Sequence, residues 1–254
     1  WIVNGITVYN GGQQFTYTPE NGDMVSAIMS YPCPGQEFNN FILMVVRDAE
    51  WTTTIWTGNS GGDFQNPENW SNGVPQSDYI INIPGGCLHY PILTTPADCE
   101  SIIIEDGGSF IGGEFLNEKS ALIKCNISSP DFHFLSCPVS FYTPFDYDNY
   151  PTFGSVFPDN QQTVWARRYD EYSGDWVNLK FDGYLWNDMG FSIQSTQPRI
   201  AQFIGLLQEF PTYCGITRFN PGSDPDRVGW NLLGNPFPCS LDWDLIPNST
   251  AEQA

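Results

Sequence analysis

The sequence predicts an all-β protein, on three observations. Aromatic residues make up 15% of the chain and charged residues only 15%, a balance that suits half-buried pleated surfaces better than amphipathic helices. Glycine (24) and proline (20) break the sequence at short intervals, as tight turns between short strands require. Apolar residues alternate along the segments, as in Phe41, Leu43 and Val45, so each presents one greasy side. At 254 residues the chain can hold one large domain or two to three small ones, and several small modules are expected.

Residues 1–47 read as the C-terminal part of an immunoglobulin-like sandwich. Strands are expected at Trp1 to Val8, Gln14 to Thr18, Met24 to Tyr31 and Phe41 to Val46, with turns at Asn10-Gly11-Gly12 and Asn21-Gly22. Phe15 and Tyr17 share a face, and so few strands cannot cover such faces alone. Trp1 falls where such sandwiches place their core Trp if two strands precede it, so the chain is expected to be cut from a longer one.

Residues 48–130 open on Trp51, Trp56, Phe64 and Trp70 in a Gly/Asn/Ser-rich stretch. Three apolar strands follow at even spacing, Tyr79 to Ile83, Ser101 to Ile104 and Leu122 to Ile127. A repeat of about 20 residues per strand-plus-turn is the period of β-solenoid rungs, with an antiparallel sandwich as the alternative. Gly107-Gly108 and Gly112-Gly113 mark corners; Ile102-Ile103-Ile104 reads as a strand covered on both faces.

Residues 131–254 read as an incomplete β-sandwich, jelly-roll-like, with strands near Phe132 to Leu135, Val164 to Asp170, Trp176 to Phe181, Phe191 to Ser195, Phe203 to Leu207, Tyr213 to Phe219 and Gly229 to Leu233. Arg168 to Trp176 is a hairpin whose Ser173-Gly174-Asp175 turn supplies a residue tolerant of positive φ.

Twenty-nine acidic against 9 basic residues, a formal charge of −20, would repel phosphate backbones and anionic headgroups, which disfavours nucleic acid and membrane surfaces as partners. No apolar run is long enough to span a bilayer. Seven cysteines without a C-x-x-C pair, and 2 histidines, give zinc too few ligands. Nearest-neighbour disulfides are expected instead, Cys87 with Cys99, Cys125 with Cys137 and Cys214 with Cys239, leaving Cys33 unpaired and implying an oxidising compartment.

Chemistry is harder to find. His89 and His133 sit in no catalytic constellation, and His133, four residues before Cys137, reads as a strand histidine rather than half of a Cys/His dyad. The carboxylates Asp146 and Asp148, Asp170 with Glu171 and Asp175, Asp224 and Asp226, and Asp242 and Asp244 read as solvated turn residues rather than a glycosidase pair. Asn220 to Asp226 offers short-spaced oxygens to a structural Ca2+, but no EF-hand pattern is present and no metal ligands are assigned. Trp165, Tyr169, Tyr172, Trp176, Tyr184 and Trp186 cluster in sequence; most are expected to fill the core, with Tyr172 and Trp176, on either side of the hairpin turn, as candidate carbohydrate contacts.

Three stretches carry a family resemblance. Trp1-Ile2-Val3-Asn4-Gly5 with Phe15 to Asp23 resembles the immunoglobulin-like or PKD-like repeats of Bacteroidetes surface proteins. Trp56-Thr57-Gly58 with Asn66 to Pro75 resembles a linker-plus-solenoid module of those proteins, and Phe132 to Pro138 with Gly229 to Pro238 resembles the β-rich region preceding their C-terminal sorting domains. The resemblance implies export by the type IX secretion system and a secreted or cell-surface role in adhesion or gliding, although this sequence shows neither signal peptide nor sorting domain. The leading expectation is therefore a non-catalytic structural and adhesive segment without a cofactor, whose partners are the type IX machinery and surface polysaccharide or protein. The alternative is a carbohydrate-binding accessory region of a secreted polysaccharide-degrading enzyme.

Overall fold

The computed structural model describes residues 2–3, 6–7, 24–29, 40–45, 51–128, 130–140, 151–157, 163–180, 182–208, 214–219, 229–242 and 244. The chain divides into two compact units, Trp1–Trp51 and Thr52–Ala254, and is built mainly from strands.

The first unit is an antiparallel sheet of β1 (Ile2–Val3), β2 (Ile6–Thr7), β3 (Met24–Met29) and β4 (Asn40–Val45) in the order β2-β1-β3-β4. The single strand expected over Trp1 to Val8 is instead two strands, Val3 opposite Ile6. The intervening sequence is Asn4-Gly5, the pair that most strongly favours a two-residue hairpin. Trp1, Gln14 to Thr18, both expected turns and Cys33 lie outside the described residues.

The second unit begins with β5 (Thr52–Ile55), β6 (Tyr79–Ile83), β7 (Ala97–Cys99), β8 (Ser101–Ile104), β9 (Leu116–Glu118) and β10 (Ala121–Ile127). Strands β5, β6, β8 and β10 pair in parallel, each one turn of chain beyond the last; β7 pairs with β9, and bridges join Asp63, Ile92 and Ile111 in the same sense. These are solenoid rungs. Identical positions stack into ladders: Thr54, Ile81, Ile102 and Ala121 form one buried column, and Ile83, Ile104 and Ile123 another. Each isoleucine so removed from water contributes roughly 1.5–3 kcal/mol. Ile103 lies on the opposite face and is only half-buried, so that strand is covered on one side rather than two. At the predicted corner Gly112 has φ +99, and a Cβ there would overlap the Leu93 carbonyl.

Both ends of the stack are closed. At the first rung Trp56, Phe64 and Trp70 pack edge to face with centroids 4.9 Å apart, and the indole N–H groups of Trp56 and Trp70 donate to the His89 and Phe64 carbonyls. The 3-10 turn Pro67–Asn69 sets this cap. Asn66 accepts from the Glu68 N–H, and buried Asn69 donates to the Asp63 carbonyl. At the last rung β15 (Arg199–Gly205), from the far part of the chain, runs antiparallel to β10 and occupies hydrogen-bonding groups an edge strand would leave open.

Between these lie β11 (Phe132–Ser136), the short helix α1 (Phe153–Val156), β12 (Val164–Asp170), β13 (Asp175–Asn178) and β14 (Gly190–Ser195). They form a second antiparallel sheet, β11-β14-β12-β13, whose inner side chains Val164, Ala166, Phe191 and Ile193 join one core with Phe153, Val156, Ala201 and Phe203. Across the boundary expected near residue 130, β15 joins the solenoid's sheet, and both segments fall in the unit Thr52–Ala254. The strand expected at Phe203 to Leu207 starts earlier, at Arg199. The described parts of the segments expected at Tyr213 to Phe219 and Gly229 to Leu233 are not strands; their N–H groups bond side chains, Phe219 and Gly229 to Glu171 and Thr217 to Asn231, instead of a ladder.

The three expected bridges are absent: Cys87, Cys99, Cys125, Cys137, Cys214 and Cys239 are all free. Cys87 follows β6 while Cys99 is on β7, and Cys125 is on β10 of one sheet while Cys137 follows β11 of the other. Burial pushes the Cys125 thiol up to about 11, helped by Asp106, and that of Cys137 up to about 12; burial and the charges of Glu118, Glu100 and Asp98 raise Cys99 further.

Candidate functional site

Alternation in the second sheet assigns Phe132 and Phe134 of β11, Ser192 and Gln194 of β14, Trp165, Arg167 and Tyr169 of β12, and Trp176 and Asn178 of β13 to one face. That face is open. Phe134 is 67% exposed, Trp176, a candidate carbohydrate contact, 40% and Trp230 65%, while the expectation that most of the sequence cluster fills the core fails at Trp165, Tyr184 and Trp186. Trp165, Tyr172, Tyr184 and Trp186 are likewise exposed; the core is filled by Phe153, Phe157, Phe191, Leu185 and the aliphatic residues of the inner face.

Phe134 and Trp176 stand on the two outer strands, whose backbones are about 14 Å apart at ordinary strand spacing. Their ring centroids are nevertheless 6.2 Å apart and inclined by only 32°, so the rings lean toward each other across the sheet. Tyr169 meets the Trp176 ring edge-on at 5.6 Å. Together with Gly174, Asp175, Trp230, Asn231 and Leu232 these rings line an open cavity of about 430 Å³. A second cavity of about 270 Å³ lies farther along the same face, lined by Phe132, Trp165, Arg167, Ser192 and Gln194. Phe132 and Trp165 both stand opposite Gln194, and Phe134 and Arg167 both stand opposite Ser192, so the two cavities occupy neighbouring rows.

One wall is supplied from outside the sheet. The segment carrying Trp230 crosses Gly190, whose N–H donates to the Leu232 carbonyl at 3.0 Å; a Cβ there would meet the Leu233 oxygen at 2.6 Å. Glu171 anchors this segment from below. Its buried carboxylate accepts the N–H of Phe219 at 2.8 Å, the N–H of Gly229 at 2.9 Å and the Thr217 hydroxyl at 3.2 Å. Asn231 completes the tie, its amide bonding Thr217 on both sides and the Gly229 carbonyl. A buried carboxyl group met by this many donors ties Thr217, Phe219 and Gly229 to the hairpin.

The two candidate sugar contacts separate. Trp176 lines the large cavity, whereas Tyr172 packs edge-on against Phe219 at 5.0 Å beside a different, more polar cavity. Phe132, Phe134 and Trp230 were missing from the sequence-derived set. The alternation of Phe132, His133, Phe134 carried the signal for two of them, and nothing local marks Trp230.

The titratable residues singled out in the sequence are dispersed. His133 Nε2 lies 3.0 Å from the Ser128 carbonyl oxygen, while the buried Cys137 thiol donates to the Val139 carbonyl, so no dyad forms. Asp170 closes the hairpin turn; the Ser173 hydroxyl, its N–H and Arg168 hold that carboxyl below the ordinary aspartate range. Asp242 accepts the Asp244 N–H, also a turn contact, while Asp146, Asp148, Asp224, Asp226 and the loop proposed for Ca2+ lie outside the described residues. Among the described residues, no three or more His, Cys, Asp or Glu side chains gather to hold a metal ion. No family model, curated protein or solved structure matches this chain.

Proposed function

We propose that the chain is a non-catalytic, glycan-binding segment of an adhesive surface protein, with the solenoid as a stiff support and the open face of the second sheet as the binding platform. The observation that carries this reading is the trio Phe134, Trp176 and Trp230 around one open cavity. Large rings are normally withdrawn from water, and a preformed group of exposed rings with polar groups at its margin marks a binding surface. Flat rings match the apolar C–H faces of pyranoses, while Asp175 and Asn231 offer hydrogen-bonding groups to sugar hydroxyls. The geometry favours carbohydrate binding over a purely mechanical role. Secretion through the type IX system and display at the cell surface belong to the same proposal and rest on the family resemblance.

A glycan array probed with the folded chain tests it. Saturable binding that falls about tenfold or more with Trp176→Ala supports the reading, since an aromatic contact plus its buried area is worth on the order of 1.4 kcal/mol. Absence of binding to any glycan, or binding indifferent to Trp176→Ala, refutes it.

A further inference from the structure

We infer that the platform takes an anionic polysaccharide, with the carboxylate or sulfate of one sugar unit seated on Arg167 between two aromatic subsites; this rests on the glycan-binding reading above.

The chain has 9 basic residues against 29 acidic ones, so a cation without an acidic neighbour needs a reason. Lys119 pairs with Glu100, Lys124 with Glu105 and Arg168 with Asp170, and Arg199 donates to Thr163. Arg167, Lys180 and Arg218 are exposed and enter no ion pair among the described residues, and of these Arg167 lines the smaller cavity on the aromatic face. Its cross-strand neighbours are Ser192 and Asn178, and its cavity is completed by Phe132, Trp165 and Gln194, none of which bears a charge. A guanidinium framed by rings and neutral amides is poorly served by its own protein. Its planar fork matches the two oxygens of a carboxylate or sulfate.

On β12 Arg167 stands between Trp165, in the smaller cavity, and Tyr169, in the larger one. Those two residues are four apart on one strand, about 13 Å at the usual rise, which is wider than one sugar ring. A ligand touching both subsites is therefore a chain of several units and must pass over Arg167. The net charge of −20 sets a limit on this: long-range repulsion opposes a polyanion, and at physiological ionic strength it is screened beyond about 8 Å, leaving the local contact to decide.

The test compares polygalacturonate as the carboxylate probe, a sulfated galactan as the sulfate probe and a neutral β-glucan, by affinity electrophoresis at physiological ionic strength. The wild-type chain is expected to prefer one anionic polymer over the neutral one by about tenfold, as a charge-assisted bidentate contact implies. Which anionic polymer is retained identifies the group. Arg167→Gln is expected to abolish the preference, and Arg167→Lys, which keeps the charge and loses the fork, to retain part of it. Circular dichroism verifies folding of both variants. Equal retention of neutral and anionic polymers by the wild type, or a preference unchanged in Arg167→Gln, overturns this inference and leaves the platform reading standing. Failure to retain any polymer, with none bound on the array, overturns both.

Discussion

The solenoid and the second sheet draw on the same aromatic composition and use it in opposite ways. Trp56, Phe64, Trp70 and Phe110 are all buried at the closed end and interior of the solenoid, with both indole N–H groups bonded to carbonyls. Phe132, Phe134, Trp165, Trp176 and Trp230 stand in solvent on the sheet and beside it. An aromatic that closes the end of a parallel stack replaces the neighbour the terminal rung lacks, so its burial is a matter of stability. One left exposed on an open sheet face costs little stability when removed, which leaves its use to be sought in binding.

The sharpest way to break this comparison is to truncate one ring from each region. Phe64→Ala is expected to lower unfolding stability by about 3–5 kcal/mol, as fully buried phenylalanines do. Phe134→Ala is expected to cost less than about 1 kcal/mol. Denaturant melts of the two variants measure the difference directly, and equal losses would dissolve the distinction. A smaller effect concerns the support of the Trp230 wall. Glu171→Gln keeps the shape of the side chain but turns an amide N–H toward backbone donors, and is expected to destabilise by about 1–3 kcal/mol. It should weaken glycan affinity severalfold through loosening of the loop, while Phe64→Ala leaves affinity intact in the fraction that remains folded.

The smallest expected effect is kinetic and separates the thiols. Because burial raises Cys125 to about 11 and Cys137 to about 12, both stay protonated at about pH 8, where only the thiolate is reactive. In native protein Cys125 and Cys137 should therefore label slowly there with iodoacetamide, as peptide mass spectrometry reads it, and faster as pH rises toward those values, whereas in unfolded protein they label promptly. Resistance to alkylation even in denaturant would instead reveal the disulfides that spacing alone suggests.

Much of the solenoid was legible because each rung repeats the same local problem: an inward apolar position, a glycine corner and a strand, at an even interval. Tyr79–Ile83 and Ser101–Ile104 accordingly fall where the pattern puts them. The pairing of β15 with β10 was not legible, since it joins segments far apart in the chain and depends on an edge that sequence does not display. In the second sheet alternation told which side chains share a face, but not which face is covered. Trp165 and Val164 are equally apolar neighbours, and only the fold decides that Val164 is inside. Glu171 was hidden for a related reason: next to Asp170 in a hairpin it reads as solvated, and its donors are the sequence-distant Thr217, Phe219 and Gly229.

The most direct test of the account sets Trp176→Ala on the platform against Ile204→Ala, a still more accessible apolar residue on the outer face of the solenoid's sheet, using isothermal titration calorimetry with the best glycan from the array. The account predicts a loss of about tenfold or more for Trp176→Ala and no change for Ile204→Ala. Equal losses, or a loss confined to Ile204→Ala, would contradict it.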